Sequence, residues 1–324
     1  MATIKLAIVG DLLMWDKQIV ACQHRTQGYD FNPVFREVVP YFDQTDLVIG
    51  NLETTFSGVE KQYQKKQFVT GYPMFNCPDA FADALKKSGF SIVTTANNHC
   101  LDRGLAGLIR TAHTLERRGI RYVGTTPYEQ GKPSSLWLNE KGLRVVIFSY
   151  TYGTNVLATN LAMRRAVSWM DEIKMRREIM QARPDADVIL VFVHFGQEFQ
   201  TRPSTKQKRI TEMLWHAGAD AVIGTHPHVM QPIVVTYRRD QFGKFRKRFV
   251  AYSLGNFTSK PMWGNPKTTQ GGILMLTFSM PDRYKKLDIN YRLLTTQCLL
   301  RKKESAWDHR VVLSLSRSKT SRNR

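Results

Sequence analysis

Nowhere does the chain contain the run of roughly 20 apolar residues that a membrane-spanning helix needs. The opening MATIKLAIVGDLLMW has an apolar run only from Leu6 to Val9 and then meets Asp11. That is short of the about 7–15 residues of a signal peptide's apolar region. The sequence therefore reads as a soluble protein, cytoplasmic or peripheral to a membrane. Cysteine is scarce: Cys22, Cys77, Cys100 and Cys298 lie far apart and form no CxxC pair. This argues against a cysteine zinc cage and suits a reducing compartment. Negative charge is short as well, with Asp+Glu 27 against Lys+Arg 47 and a formal net charge of +20. Such a surface attracts polyanions: nucleic acid, anionic lipid or an acidic polymer. No internal repeat and no domain linker is visible.

What is present suits a folded core. Hydrophobic residues make up 42% of 324 positions. Short apolar runs at Ile4–Val9, Asp46–Ile49, Phe90–Thr95, Leu143–Ser149, Asp187–Val193, Ala219–Gly224 and Phe249–Ser253 read as buried strands. Between them lie helical patterns. Leu105, Leu108, Ile109, Ala112 and Leu115 share one helix face, and Ile210, Leu214 and Ala217 mark another. A shorter helix carrying Ala80, Phe81, Ala84 and Leu85 ends at Gly89. Strands alternating with helices predict parallel pairing. Thr54–Gly71 reads as a long polar flap, and Arg238–Arg248 as a basic hairpin between two strands. Gly272–Ser279 and Asp288–Leu294 read as antiparallel strands covering an edge. The predicted organisation is one domain over residues 1–295 and a basic, partly disordered tail over 296–324.

Metal-ligand residue types cluster directly after the strands. Asp11 follows IKLAIVG, Asn51 and Glu53 follow DLVIG, and Asn97, Asn98 and His99 follow SIVTTA. His194 follows DVILVFV, and His226 and His228 follow DAVIGT. The carboxyl ends of parallel strands are where α/β sheets bind ligands. Imidazoles, carboxylates and an Asn carbonyl together suit Zn, Mn or Fe. Each element alone is ordinary: an aspartate after a strand is usually a turn or cap, and a lone HxH is usually no ligand. The weight lies in five strand ends delivering the right types together. His24, His113, His216 and His309 read as ordinary histidines.

The segments GDLLMW (10–15), GNLETTFSG (50–58), TANNHCLDRG (95–104), VHFGQEF (193–199), GADAVIGTHPHVMQP (218–232) and YSLGNF (252–257) resemble the successive motifs of the CapA family. That family, of capsule and poly-γ-glutamate biosynthesis, lies in the calcineurin-like metallophosphoesterase superfamily. The resemblance covers about Ile4 to Phe257. It implies an α/β fold of two packed sheets flanked by helices, a four-layer sandwich. It implies one or two divalent transition metal ions (Mn, Zn or Fe) held by Asp11, Glu53, Asn98, His194, His226 and His228. His99 matches the histidine that protonates a leaving group, with Asp102 as its orienting carboxylate. Asn51, Glu198, Arg202 and Asn256 are candidate substrate contacts; Glu198 could instead orient a histidine, and Asn256 could only shape a turn. Two positions depart from the superfamily pattern, and the CapA family shares both. Leu13 stands where the superfamily has a ligating histidine. Asn51 stands where it has an aspartate, with Glu53 two residues on as a substitute carboxylate.

Three function classes follow. The first is a metal-dependent hydrolase acting on a phosphoester, or processing or transferring in capsule or poly-γ-glutamate synthesis. The second is a non-catalytic factor that binds the anionic capsule polymer, with peripheral membrane contact through its basic surface. The third, a nucleic-acid binder using the hairpin and tail, is disfavoured. Phe242 and Phe245 lie inside the basic run, but no stacking platform of interleaved aromatics is visible.

Overall fold

The computed structural model describes residues 2–314 apart from 25, 27, 128–134, 282–285 and 303–306. The chain builds half of one sheet, then the whole of a second, and then returns to finish the first. Strands β1 (Ala2–Leu12), β2 (Leu47–Leu52), β3 (Phe90–Thr94) and β4 (Arg121–Val123) begin the first sheet. The second holds β5 (Ser135–Glu140), β6 (Leu143–Thr151), β7 (Val188–His194), β8 (Ala221–Thr225), β9 (Ile233–Arg239) and β10 (Phe245–Ala251). The return supplies β11 (Asn256–Thr258), β12 (Gln270–Met280), β13 (Asp288–Lys302) and β14 (Trp307–Leu313). The orders are β14-β13-β12-β1-β2-β3-β4, with β11 also on β1, and β9-β10-β8-β7-β6-β5. The neighbours β1 to β4 pair in parallel, as do β6, β7, β8 and β10.

The alternation of side chains along a strand explains the layers. Ile4, Leu6 and Ile8 of β1 enter the same core as Val188, Leu190 and Phe192 of β7, so the two sheets pack face to face. Ala7 and Val9 face the other way, toward helices α1 (Asp16–Ala21), α2 (Asn32–Phe35), α3 (Val39–Phe42) and α4 (Ala80–Lys87). Ile189, Val191 and Val193 face α7 (Glu172–Ala182) and α8 (Thr205–Ala217) on the opposite flank. Strands apolar on both faces are what a doubly covered sheet requires. Helix α5 (Gly104–Glu116) carries the predicted Leu105–Leu115 face, and α6 (Leu161–Arg165) packs beside it. Gly89 follows α4 at φ 95°, a left-handed position that glycine adopts without a Cβ clash.

The domain boundary and the availability of the hairpin's charge need revision. The boundary predicted at 295/296 falls inside β13, which pairs with β14 from Thr296↔Leu313 to Lys302↔Trp307. The sheet therefore runs through Leu313; the rest of the predicted tail beyond Ser314 lies outside the described residues. His309 is buried in β14, against Gln18, Cys22 and Cys298. The basic hairpin forms, with Arg239 opposite Phe245, but much of its charge is spent internally. Arg238 pairs with Glu212, Arg246 with Asp240 and Lys247 with Asp288. Arg248 is fully buried between Asp220 and Asp240. A buried guanidinium held this way belongs to the core and cannot meet a polyanion.

No helix among the described residues is long and apolar enough to cross a membrane.

Candidate metal centre

The parallel strands of both sheets end on the same side of the molecule. The end of β1 is fixed first. The Asp11 amide donates to the Gly255 carbonyl at 3.0 Å, and a Cβ on Gly10 would stand 1.9 Å from that oxygen. Only glycine permits this approach. Asp11 then lies beside Asn51 in the β1–β2 register and beside Asn256 in the β1–β11 register.

Asn51 ties the carboxylates together. Its Nδ2 donates to Asp11 Oδ1 at 2.8 Å and to Glu53 Oε2 at 3.4 Å. Thr94 and Asn97 donate to its Oδ1, each at 3.2 Å, and fix the amide orientation. Glu53 is fully buried. Its Oε1 lies 3.6 Å from His194 Nε2, 3.8 Å from His228 Nε2 and 4.0 Å from His99 Nε2. Among the described residues that oxygen has no hydrogen-bond partner, and neither does His226 Nδ1. Buried polar atoms without partners are rare in native proteins and call for an explanation.

The imidazoles are held by neighbours that leave ligand atoms facing inward. His194 Nδ1 meets the Thr225 hydroxyl at 2.9 Å, while its Nε2 lies 2.8 Å from Asn98 Oδ1. His228 Nδ1 lies 2.9 Å from Asn256 Oδ1 and 3.3 Å from Asp11 Oδ2. Such outer partners set which ring nitrogen is free. Both His226 and His228 have left-handed backbones, with φ of 98° and 58°. A side chain there costs on the order of 1–3 kcal/mol, and such strain gathers at functional sites.

Electrostatics leaves this cluster short of positive charge. Burial pushes Glu53 well above the ordinary carboxylate range, and the neighbouring Asp11 and Glu198 push it further. Burial, and then the other imidazoles, hold His194 and His226 well below the ordinary histidine range. They therefore stand neutral with lone pairs available. Burial also opposes charge on His228, but its bond to Asp11 and that residue's charge prevail and raise it. A divalent cation would relieve both the crowded carboxylates and the orphaned atoms. Three groups bring potential ligand atoms within 4.8 Å of one another: Glu53–His194–His226, Asp11–Glu53–His228 and Glu198–His226–His228. The donor set of nitrogen and oxygen fits Zn, Mn or Fe.

His99 stands beside this cluster. Its Nδ1 lies 2.7 Å from Asp102 Oδ2, which also accepts the Phe75 amide at 2.5 Å. The Phe75 ring packs on the imidazole with centroids 4.6 Å apart. Asp102 thus fixes the ring so that Nε2 faces the cluster.

Of the residues singled out in the sequence, Asp11, Asn51, Glu53, Asn98, His99, Asp102, His194, His226, His228 and Asn256 come together through these contacts. Glu198 joins at the mouth, where the Tyr72 hydroxyl donates to it at 3.4 Å. Arg202 is exposed, and its contact is a carbonyl that accepts from Gln231. Asn155 and Tyr152 are additions. Asn155 Nδ2 lies 3.4 Å from His99 Nε2 and its Oδ1 accepts from Asn98, while Tyr152 stacks on His194 and lies 4.7 Å from His226. Both follow β6, a strand end whose polar run TYGTN carries the same signal as the other five.

A family model described as bacterial capsule synthesis protein PGA_cap matches residues 5–261. The capsule biosynthesis protein CapA of Bacillus anthracis is 28% identical over 269 residues, covering 81% of this chain and 61% of that protein. The PGA biosynthesis protein CapA of Bacillus subtilis is 27% identical over 263 residues, covering 79% and 63%. The chain thus spans less than two thirds of the length of these relatives. A solved structure from Staphylococcus aureus, provisionally assigned as a 5′-nucleotidase and bound to α-ketoglutarate, superposes with a TM-score of 0.52 at 14% identity. It covers 99% of this chain and 56% of that one, and at such identity the likeness concerns the fold alone. That fold is the expected α/β sandwich of two packed sheets flanked by helices.

Proposed function

The chain belongs to the bacterial capsule synthesis family PGA_cap, and from that premise we propose that it is a metal-dependent hydrolase-type protein acting on a phosphoester or on an anionic capsule polymer such as poly-γ-glutamate. The observation that carries the reading is the position of His99 Nε2, 4.0 Å from the partnerless Glu53 Oε1. A proton carrier held by a buried carboxylate next to a ligand cluster is the arrangement acid catalysis needs.

Asp11, Glu53, Asn98, His194, His226 and His228 would hold a divalent ion. When bound, that ion supplies Lewis-acid polarisation of a substrate oxygen and lowers the pKa of a water. The chain's own residues do the rest. His99 carries a proton at Nε2 for the departing oxygen. Asp102 fixes the tautomer through Nδ1 and offsets the charge of the doubly protonated ring. Asn155 stands at the Nε2 face, where a leaving oxygen would be received. Tyr152 and Phe75 cover the imidazoles and limit water. Asn51 and Asn256 hold Asp11 and His228, and Arg202 stands outside the cluster as a candidate anion contact.

A second reading, a polymer-binding assembly factor without catalysis, is favoured by the +20 charge. The deciding experiment is metal analysis of protein purified without added metal, followed by phosphomonoesters, phosphodiesters and poly-γ-glutamate as substrates. Stoichiometric metal with turnover that needs His99 supports the enzyme. Bound metal with no turnover of any substrate supports the assembly factor, and failure to take up Mn, Zn or Fe defeats the metal-dependent hydrolase.

A further inference from the structure

The cluster contains more donors than one transition metal ion takes. Asp11, Glu53, Glu198, His194, His226 and His228 fall into three overlapping groups, and Asn98 adds a carbonyl beside His194. Zinc sites use about four donors and octahedral sites about six, fewer than are gathered here. None of the three carboxylates forms an ion pair with a lysine or arginine among the described residues, which leaves bound cations to balance them.

Glu198 is placed with some care. It follows β7 in the turn Gly196–Phe199, and Phe199 has φ 66°. The Phe199 amide donates to the Pro227 carbonyl at 2.8 Å, in the middle of the His226–Pro227–His228 turn. The Phe199 ring lies 6.3 Å from that of His228 and packs against the apolar cluster of Leu13, Trp15, Phe75 and Met262. From just past the flap, the Tyr72 hydroxyl donates to Glu198 Oε1. The carboxylate is therefore seated from three directions, with ligand atoms of His226 and His228 within 4.8 Å. The buried Nδ1 of His226 has no partner among the described residues, an independent sign that this histidine awaits a ligand.

We propose that Glu198 is a metal ligand, closing a second cation position with His226 and His228 beside the one held by Glu53 and His194. The inference rests on reading this cluster as a metal centre. It gives Leu13 and Phe199 a function: their packing holds the turn that aims Glu198. Substrate specificity at the mouth then belongs to other residues.

Chelator-stripped full-length protein titrated with Mn²⁺ alone tests the proposal, by calorimetry for stoichiometry and electron paramagnetic resonance for coupling between ions. The unaltered protein takes two equivalents and gives a spin-coupled spectrum. Glu198→Gln, which keeps the shape, retains one equivalent, weakens the second by at least about tenfold, and gives the spectrum of isolated Mn²⁺. Phe199→Ala weakens the same second equivalent with its ligands intact. Circular dichroism checks folding, and Glu198→Asp provides a second variant at the position. Two equivalents of unchanged affinity in Glu198→Gln overturn the proposal, as does a single equivalent in the unaltered protein. Glu53→Gln separates the two levels. If it loses metal while Glu198→Gln does not, only this inference fails. If neither loses metal, the metal-centre reading fails with it.

Discussion

His226 and His228 set the terms at the scale of single residues, because their backbones are held where L-residues are rarely found. Replacing both by alanine removes the imidazoles but keeps the Cβ strain. Replacing both by glycine removes the imidazoles and the strain, which for a left-handed residue is about 1–2 kcal/mol per site. Both pairs are expected to lose metal while the fold persists, since the turn lies above the core. The metal-free glycine pair is expected to melt at a higher temperature than the alanine pair. Elemental analysis, circular dichroism and thermal unfolding measure this. Unchanged metal content in either double variant would show that the site lies elsewhere. His99 is a different case, because it stands beside the ligand cluster and is tied to Asp102. His99→Asn is expected to keep the metal and to slow turnover of substrates with poor leaving groups by roughly 10²–10⁴-fold. An activated nitrophenyl ester needs little proton donation and should suffer less. Equal losses on the two substrates would count against the acid role.

At the scale of elements, the strand ends explain what the sequence made legible. An apolar strand run followed at once by a ligand-type side chain marks β1, β2, β3, β7 and β8, and the five ends meet. The same rule applied to β6 finds Asn155, whose TYGTN run looks like an ordinary turn until His99 and Asn98 are seen against it. The short edge strands β4 and β5 are half exposed and carry no apolar run, so only their pairing reveals them. Thr225, Thr94 and Phe75 stay hidden because supporting contacts leave no spacing signature.

The last strand was the hardest to read, because His309 sits among basic residues in sequence yet is buried in space. Burial pulls it down to about 4, with nearby Asp308 opposing. Unfolded, a histidine titrates near about 6.5. Above that pH both states hold the ring neutral and nothing changes. As pH falls from about 6.5 toward 4, the unfolded chain binds a proton that the native one refuses. Native stability then drops by about 1.4 kcal/mol per unit, on the order of 3 kcal/mol in all. Below that window both states are protonated and the slope ends. Chemical denaturation at pH 5 and pH 7.5 should show the acid loss shrinking in His309→Gln. Identical losses in variant and parent would mean that the ring is not held neutral.

Across the whole molecule, net charge overstates the surface open to an anion. Arg248 is enclosed by Asp220 and Asp240, which keep Arg183 and Arg246 as further partners, so Arg248→Ala is expected to cost less stability than the about 3–5 kcal/mol of a buried pair broken outright. Lys61, Lys66, Arg239, Lys244, Arg301 and Lys302 are exposed and lie outside the ion pairs described above; Lys303 lies outside the described residues. Neutralising Lys61, Lys66, Arg239 and Lys244 together should weaken binding to poly-γ-glutamate without touching metal content or stability. That binding should fall steeply with salt, since exposed charges are screened beyond about 8 Å at physiological ionic strength. Matched titrations against nucleic acid test selectivity, and binding that ignores both salt and these substitutions would reduce the charge to a solvated surface.

The position of β1 between β2 and β12 also carries a timetable. Its register with β12 runs from Ala2↔Met280 to Val9↔Ile273, so β1 pairs with a strand made about 270 residues later. Synthesis has delivered every proposed ligand by His228. The Gly255 carbonyl that fixes Asp11 and the Asn256 side chain that steadies His228 come later, and the strand that closes the sheet beside β1 comes later still. Pairings this distant in sequence slow folding. A cation that reaches the nascent chain early therefore meets a complete set of ligands on an unfinished frame. Refolding followed by both metal uptake and sheet formation should show tight binding arriving last, after β12 has docked.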